Sequence, residues 1–185
     1  MSVVDQVKAA RRVSVPILVL NTPDQSATIT HIVDGINGEA PKVQWDFVRG
    51  LKSLSDEGAT AIAGLGDEAE NTIANPAGAV RLGCALPERS ILFIHNAHRY
   101  LEDIGFVQAV CNVRDSFKAN HRTLVLLGPT INLPPELSGD VVTFDEALPD
   151  SAEIERIICD VHEAAGIEAD DDTIVRAVSA TTGLP

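Results

Sequence analysis

The residues of this chain that could do chemistry follow two short apolar runs, Ser90–His95 and Thr123–Leu127. Continuous runs of Ile, Leu, Val and Phe are typical of buried parallel strands. Ligands of open α/β sheets bind beyond the carboxyl ends of such strands. The polar side chains after the two runs are therefore candidates for an edge that binds a ligand or a partner: Asn96, His98, Arg99, Thr130 and Asn132.

The first of these runs does not end in an acidic residue. Enzymes that hydrolyse ATP use a carboxylate at such a strand end to hold Mg²⁺ and polarise water. Here the strand is followed by HNAHRY, and the first carboxylate belongs to Glu102. Asn96 can hold a water molecule or a backbone turn, but it cannot act as a general base. We therefore predict that this edge carries no catalytic residue.

A phosphate-binding loop is also missing from the place where one would be expected. Such a loop needs glycines whose backbone N–H groups wrap the phosphates, followed by Lys and Ser or Thr. The first apolar run, VPILVL, is followed by NTPDQSATIT, which has no Gly and no Lys. Asp24 lies at the predicted start of a helix, where a carboxylate caps the helix but repels a triphosphate. We therefore expect no cofactor in this chain.

Two other kinds of site are less well supported. His95, His98 and His121 could suggest zinc, but a zinc site needs three or four ligands, and we expect these side chains to form ordinary hydrogen bonds and no metal site. Ser90, His95 and Asp103 are present without a G-x-S-x-G turn, which argues against hydrolase chemistry. The three cysteines lack C-x-x-C spacing and are expected to be free thiols; they are Cys84, Cys111 and Cys159.

The order of apolar runs and helical patterns predicts how these residues are positioned. Strands alternate with helices, which indicates an α/β three-layer sandwich with a mainly parallel sheet. Two segments are harder to interpret: Phe47–Leu54 is predicted as a short helix, and the Gly- and Asp-rich Ser55–Glu70 as a flexible loop. We expect one α/β domain over residues 1–166. Residues 167–185 are expected to form a C-terminal helix that begins a further segment or a lid.

Charge and hydropathy limit the possible partners. The net charge is −13, and residues 139–185 carry 12 acidic residues against only Arg156 and Arg176. A chain this acidic is a poor general binder of nucleic acid. No apolar run approaches the roughly 20 residues of a membrane span, and the N-terminus does not resemble a signal peptide, so a cytoplasmic protein is expected. A local basic patch stays possible, built from Arg11, Arg12, Arg89, Arg99, Arg114, Lys118 and Arg122.

Several collinear motifs resemble a known family. They read KVQWDFVRGL, NPAGAVRLGCAL, ILFIHNAHRYLED, HRTLVLLGPTINLPPEL and TFDEALPDSAEIERII. In this order and spacing they resemble the N-terminal region of AAA-family ATPases of the conserved chloroplast and cyanobacterial reading-frame type, over most of residues 15–185. The family pattern is matched by Trp45, by the Gly50-Leu51 pair, by an aromatic residue at Tyr100 and by the PPEL turn. It has Asp where this chain has Asn96.

The resemblance implies a degenerate RecA-like domain with P-loop NTPase topology that precedes an active AAA module. ATP and Mg²⁺ are the cofactors of the parent family, and the implied partner is the AAA module, in cis or in trans, with a homo-oligomer as a further possibility. The leading hypothesis is a non-catalytic domain for assembly or target binding, with Arg99 and Arg122 as candidate contacts to a neighbour. The alternatives are a nucleotide-binding sensor that uses the same edge, and a nucleic-acid-processing accessory domain that needs a clustered basic face.

Overall fold

A six-stranded sheet lies at the centre of the first part of the chain. The computed structural model describes residues 2–36, 38–146, 151–166 and 171–181. The strands lie in the order β3-β2-β4-β5-β1-β6, and every neighbouring pair is parallel except β2 with β3. The strands are β1 (Ile17–Asn21), β2 (Lys42–Asp46), β3 (Gly50–Ser53), β4 (Ile91–Ile94), β5 (Thr123–Gly128) and β6 (Val142–Asp145).

Helices cover both faces of this sheet, which gives three layers. They are α1 (Val3–Arg12), α2 (Gln25–Gly35), α3 (Asp56–Leu65), α4 (Pro76–Leu82) and α5 (Ile104–Ala119). Val7 of α1 and Ile32 of α2 pack with Phe93 in one apolar cluster. Val80 of α4 and Phe106 of α5 pack with Trp45 in the other. The predicted α/β sandwich with a mainly parallel sheet is confirmed.

The alternation of side chains along the strands explains the two clusters. Successive residues of a strand point to opposite faces of a sheet. In β4, Phe93 lies in the α1–α2 cluster, whereas Leu92 and Ile94 lie in the α4–α5 cluster. All four residues of β4 are buried, so the strand is apolar on both faces, as its continuous apolar sequence predicts.

Two local predictions from the sequence are wrong. Phe47–Leu54 is not a helix, because Gly50–Ser53 forms β3 and pairs antiparallel with β2. The Asp46 carboxylate accepts hydrogen bonds from the backbone N–H groups of Val48 and Arg49 and so closes the turn between the strands. The second segment is not a loop throughout, because α3 occupies residues 56–65 and is capped by the Ser55 side chain.

The last part of the chain forms a separate compact unit. By its contacts the chain divides into Met1–Glu146 and Ala147–Pro185. The second unit contains α6 (Ser151–Ala165) and α7 (Asp171–Thr181). The contacts therefore divide the chain after residue 146, before α6, while the boundary expected from sequence lies after residue 166. Within the described ranges, no helix has the length and apolar character needed to cross a membrane.

Candidate functional site

The carboxyl ends of β1 and β4 are joined by a pair of amide side chains. Gln25 is the first residue of α2, which follows β1, and Asn96 lies two residues after β4. The Gln25 Nε2 group donates to Asn96 Oδ1 at 2.9 Å, and the Asn96 backbone N–H donates to Gln25 Oε1, also at 2.9 Å. Asn96 has a φ of +53°, a left-handed conformation that Asn tolerates better than most residues. The predicted site residue Asn96 is thus engaged within the chain.

A second network closes the segment between β1 and α2. The Thr22 and Thr28 hydroxyls are 2.7 Å apart, and both residues are almost fully buried. Thr28 Oγ1 also lies 2.7 Å from the Asp24 carbonyl and contacts the Glu146 carboxylate, so its one proton has two acceptors. The Asp24 carboxylate accepts from the Ala27 N–H at 3.0 Å and caps α2. The polar groups of this segment are therefore bonded to one another.

The acidic residues after β6 add negative charge to the same edge. Asp145 accepts a hydrogen bond from Asn21 Nδ2 at 2.7 Å. Asn21 Oδ1 in turn accepts from the backbone N–H of Ile131, in the loop after β5, at 2.8 Å. Asp145 adds its negative charge to those of Asp24 and Glu146. These carboxylates would repel a bound anion, because like charges repel.

The predicted residues after β5 are held less tightly than Asn96. Thr130 is exposed, and its hydroxyl donates to the Pro129 carbonyl at 2.8 Å. Asn132 is exposed as well, next to the buried Ile131. Both therefore belong to an exposed loop at the carboxyl end of β5, the neighbour of β4.

Two histidines at the end of β4 have lowered basicity. Burial lowers the pKa of His95, and the Arg49 charge adds to this while Asp46 opposes it. The His95 Nε2 atom lies 2.9 Å from Gln44 Oε1. Burial, and then the neighbouring Arg99, lower the pKa of His98. His98 packs against Gly128, where an added Cβ would come within 2.7 Å of His98 Nδ1. That atom is buried and has no hydrogen-bond partner among the described residues.

The predicted basic residues do not form one face. Arg99 is exposed at this edge. Arg122 is buried, and its Nε donates to the Leu86 carbonyl at 2.9 Å, so the expected contact of Arg122 with a neighbour is not possible in this conformation. Arg114 pairs with Asp115 and Asp140 at 2.9 and 2.6 Å. The predicted basic residues are thus divided: Arg114 and Arg122 are bonded within the chain, whereas Arg11, Arg12 and Arg89 line a cleft at the amino ends of the strands.

The residues that contact Asn96 or lie beside it were not predicted from the sequence. Gln25, Thr28 and Glu146 contact the predicted edge and were not among the candidates. Strand order places the start of α2 at the same edge of the sheet as the end of β4, but it does not say which residue of α2 meets Asn96. In the part of the chain that the structure describes, no group of three or more His, Cys, Asp or Glu side chains could hold a metal ion.

Solved structures with a similar fold include replication initiators. One is a DNA replication initiation factor, with a TM-score of 0.56 and 12% identity over 97% of this chain and 58% of that chain. Another is the replication initiator DnaA bound to AMPPCP and single-stranded DNA, with a TM-score of 0.58 and 11% identity over 94% of this chain and 54% of that one. Domain III of DnaA from Thermotoga maritima gives a TM-score of 0.52 and 13% identity over 97% and 81%. At these identities the likeness concerns the fold alone.

Sequence comparison identifies the family. The chain is 22% identical over 188 residues to the uncharacterised AAA domain-containing protein ycf46 of Guillardia theta, an alignment that covers all of this chain and 35% of that protein. The chain thus spans about a third of the length of this curated relative. The family model for the SpoVK-like AAA ATPase N-terminal domain matches residues 3–146, which contain the whole sheet. The chain therefore belongs to the family of SpoVK-like AAA ATPase N-terminal domains.

Proposed function

We propose that this chain is a non-catalytic, ATPase-like domain of an AAA-family ATPase that acts in assembly or target binding. The observation that carries the proposal is the reciprocal hydrogen bonding of Gln25 and Asn96. It joins the two strand ends between which an ATPase of this fold would place nucleotide and Mg²⁺.

The residues at this edge do not fit Mg²⁺–ATP. Thr28 is bonded to the Asp24 carbonyl and to Glu146, and the Asp24 carboxylate takes the Ala27 N–H at the start of α2. A phosphate group would have to displace that carboxylate to reach the helix N-terminus, against the charges of Asp145 and Glu146. The segment NTPDQSATIT offers neither the glycines nor the lysine that would repay this cost. The loop is thus a degenerate P-loop, and we derive no catalytic step through ATP.

The partner that we propose is an AAA module, in cis or in trans, with self-association as a second mode of assembly. The curated relative is about three times as long as this chain, which leaves room for such a module. The net charge predicts no nucleic-acid partner, and DnaA is similar to this chain in fold alone. A cytoplasmic location stays a prediction.

Sedimentation velocity together with a phosphate-release assay tests this proposal. The chain is mixed with the part of the Guillardia theta relative that lies outside the aligned region, in the presence of Mg²⁺–ATP. We expect a complex in which this chain releases no phosphate of its own but changes the release rate of the added module. Phosphate release by this chain alone would contradict the proposal, as would the absence of both a complex and self-association.

A nucleotide-binding sensor is the second candidate, and His98 favours it. Its Nδ1 atom is buried beside Gly128 with no partner among the described residues, and its pKa is lowered. A buried imidazole that lacks a partner costs free energy, which a ligand atom could recover. Nucleotide binding that raises the thermal midpoint of the wild type but not of His98→Phe would favour the sensor over the assembly domain.

A further inference from the structure

A basic cleft lies at the opposite end of the sheet from the site described above. Its volume is about 900 Å³. It lies beside the amino ends of β1, β4 and β5, between the end of α1, the connection from α2 to β2, and the loop before β4. Its basic lining consists of Lys8, Arg11, Arg12, Arg89 and His121, and its acidic lining of Glu39 and Glu88. We call it the amino-end cleft.

Arg11 forms a fixed part of this cleft. It is half-buried, and its guanidinium donates to Thr123 Oγ1 at 2.8 Å and to the Arg89 carbonyl at 2.7 Å. Burial, and then the charge of Arg89, lower the pKa of Arg11 to about 10. Among the described residues no carboxylate forms an ion pair with Arg11. Among the described residues, two guanidinium groups are therefore held near each other without an ion-pair partner, although Glu39 and Glu88 also line the cleft, and a bound anion would stabilise this arrangement.

The backbone around the cleft is held by specific contacts. Arg89 has a φ of +65°, and its N–H donates to the Asn120 carbonyl at 2.9 Å. Ser14 and His121 also have positive φ, and Ser14 Oγ lies 2.8 Å from His121 Nδ1. For Ser14 and His121 this conformation is a common way to end a helix, since each follows the C-cap of α1 or α5. Arg89 follows no α-helix end of this kind, and its backbone is held by the hydrogen bonds of its N–H to Asn120 and of its carbonyl to Arg11.

The remaining cations are available to a ligand. Within the described ranges, Lys8, Arg12 and Arg89 form no ion pair, and Arg12 and Arg89 are exposed. Guanidinium groups bind phosphate oxygens in bidentate fashion, and linked phosphates bring several negative charges into a small volume. The volume falls within the range of small-molecule sites. A longer polyanion would extend beyond the cleft onto the surface of the chain. The net charge of the chain is −13 and would repel it.

We propose that the amino-end cleft binds a small molecule that carries two or more linked phosphates. This inference is independent of the function proposed for the carboxyl-end edge, because the two sites are at opposite ends of the strands. The ligand could be a free polyphosphate or the phosphate chain of a nucleotide, and the two share the same recognition chemistry.

Calorimetric titration of the whole chain with tripolyphosphate, in EDTA, tests the proposal. We expect saturable binding that is at least tenfold weaker in Arg12→Gln/Arg89→Gln. The matched control is Lys52→Gln/Arg81→Gln, which removes two exposed cations outside the cleft and should change the affinity by less than twofold. Glu88→Gln removes a negative charge from the lining and should strengthen binding severalfold. Unchanged thermal unfolding verifies that each variant is folded.

Two further arms identify the source of the phosphates. The first is titration with ATP in EDTA. If ATP binds as tightly as tripolyphosphate, the site recognises the phosphate chain alone; if ATP binds more tightly, the site recognises a nucleotide. Both results support the proposal. The absence of saturable binding would overturn it, as would equal losses in the cleft and control variants. Tighter binding of a single-stranded oligonucleotide through the same arginines would also overturn it, because the site would then belong to a nucleic acid.

Discussion

The two ends of the parallel sheet differ in how their polar groups are satisfied. At the carboxyl end, Gln25 bonds to Asn96, and Thr28 contacts Glu146, so the side chains there are occupied by one another. At the amino end, Lys8, Arg12 and Arg89 face an open cleft and form no ion pair among the described residues. The carboxyl end also carries Asp24, Asp145 and Glu146 beside Arg99, whereas four cations and two carboxylates line the amino-end cleft, together with His121.

This difference shows that topology and side chains contribute separately to a binding site. Doubly wound sheets bind ligands beyond the carboxyl ends of their strands, and this chain has the strand order of such a sheet. At that edge its side chains bond to each other. The fold therefore provides the edge, while the cationic groups best suited to an anion line the cleft at the other end.

The largest effect is expected where the carboxyl-end network is buried. Thr28→Val keeps the shape of the side chain but removes the hydroxyl that contacts Thr22, Asp24 and Glu146. Leaving buried polar partners without a hydrogen bond costs about 1–3 kcal/mol, so the free energy of unfolding in urea should fall by that amount. Thr30→Val is the matched control on the same helix, because Thr30 is exposed and should change stability by at most about 0.5 kcal/mol. Equal effects of the two substitutions would show that the network does not stabilise the fold.

A smaller effect is expected from the exposed part of the same edge. Gln25→Ala, Asn96→Gly and the double substitution form a double-mutant cycle, and glycine is chosen because position 96 has positive φ. The coupling energy should be about 0.5–1.5 kcal/mol, the net value of the one hydrogen bond between the two side chains, because glycine keeps the backbone N–H that donates to Gln25. Unfolding in urea measures it. A coupling energy near zero would mean that the amide pair does not hold the two strand ends together.

The smallest effect concerns the pH dependence of stability. Burial lowers the pKa of His95 below its usual value near 6.5, so between the folded and unfolded pKa values the unfolded chain binds more protons. The stabilising contribution is present above about pH 6.5 and is lost as the pH falls through the folded pKa. His95→Gln should therefore make the decline in stability between about pH 7 and pH 5 less steep. His31→Gln, on the exposed side of α2, is the control. An unchanged slope in His95→Gln would show that this protonation does not contribute.

The continuous apolar strands were predictable, because their hydrophobic pattern follows from burial on both faces. The hairpin of β2 and β3 was not, since β3 has only four residues and two of them are exposed. Two residues signal the hairpin. The Asp46 carboxylate accepts hydrogen bonds within the turn, and Gly50 adopts a φ of +66°. Helix α3 was missed because its sequence DEGATAIAGL is weakly amphipathic. Its cap at Ser55 was the stronger signal.

The candidate site was predictable by location but not by pairing. Parallel strands bring their carboxyl ends to one edge, so Asn96, His98, Thr130 and Asn132 were found from strand order. Which residue bonds to Asn96 depends on how α2 begins, and no local pattern gives this. The burial of Arg122 could not be predicted from the sequence either, because its acceptor, the Leu86 carbonyl, lies 36 residues away in the chain.

The central claim is that the carboxyl-end edge does not bind Mg²⁺–ATP. The most direct test is calorimetric titration of Mg²⁺–ATP into Arg12→Gln/Arg89→Gln, in which binding at the amino-end cleft is expected to be at least tenfold weaker, with phosphate release measured for the wild type. The account predicts no saturable heat in the variant and no phosphate release. Micromolar binding that persists in this variant and is lost on Asn96→Gly, or turnover of ATP by the wild type, would contradict it.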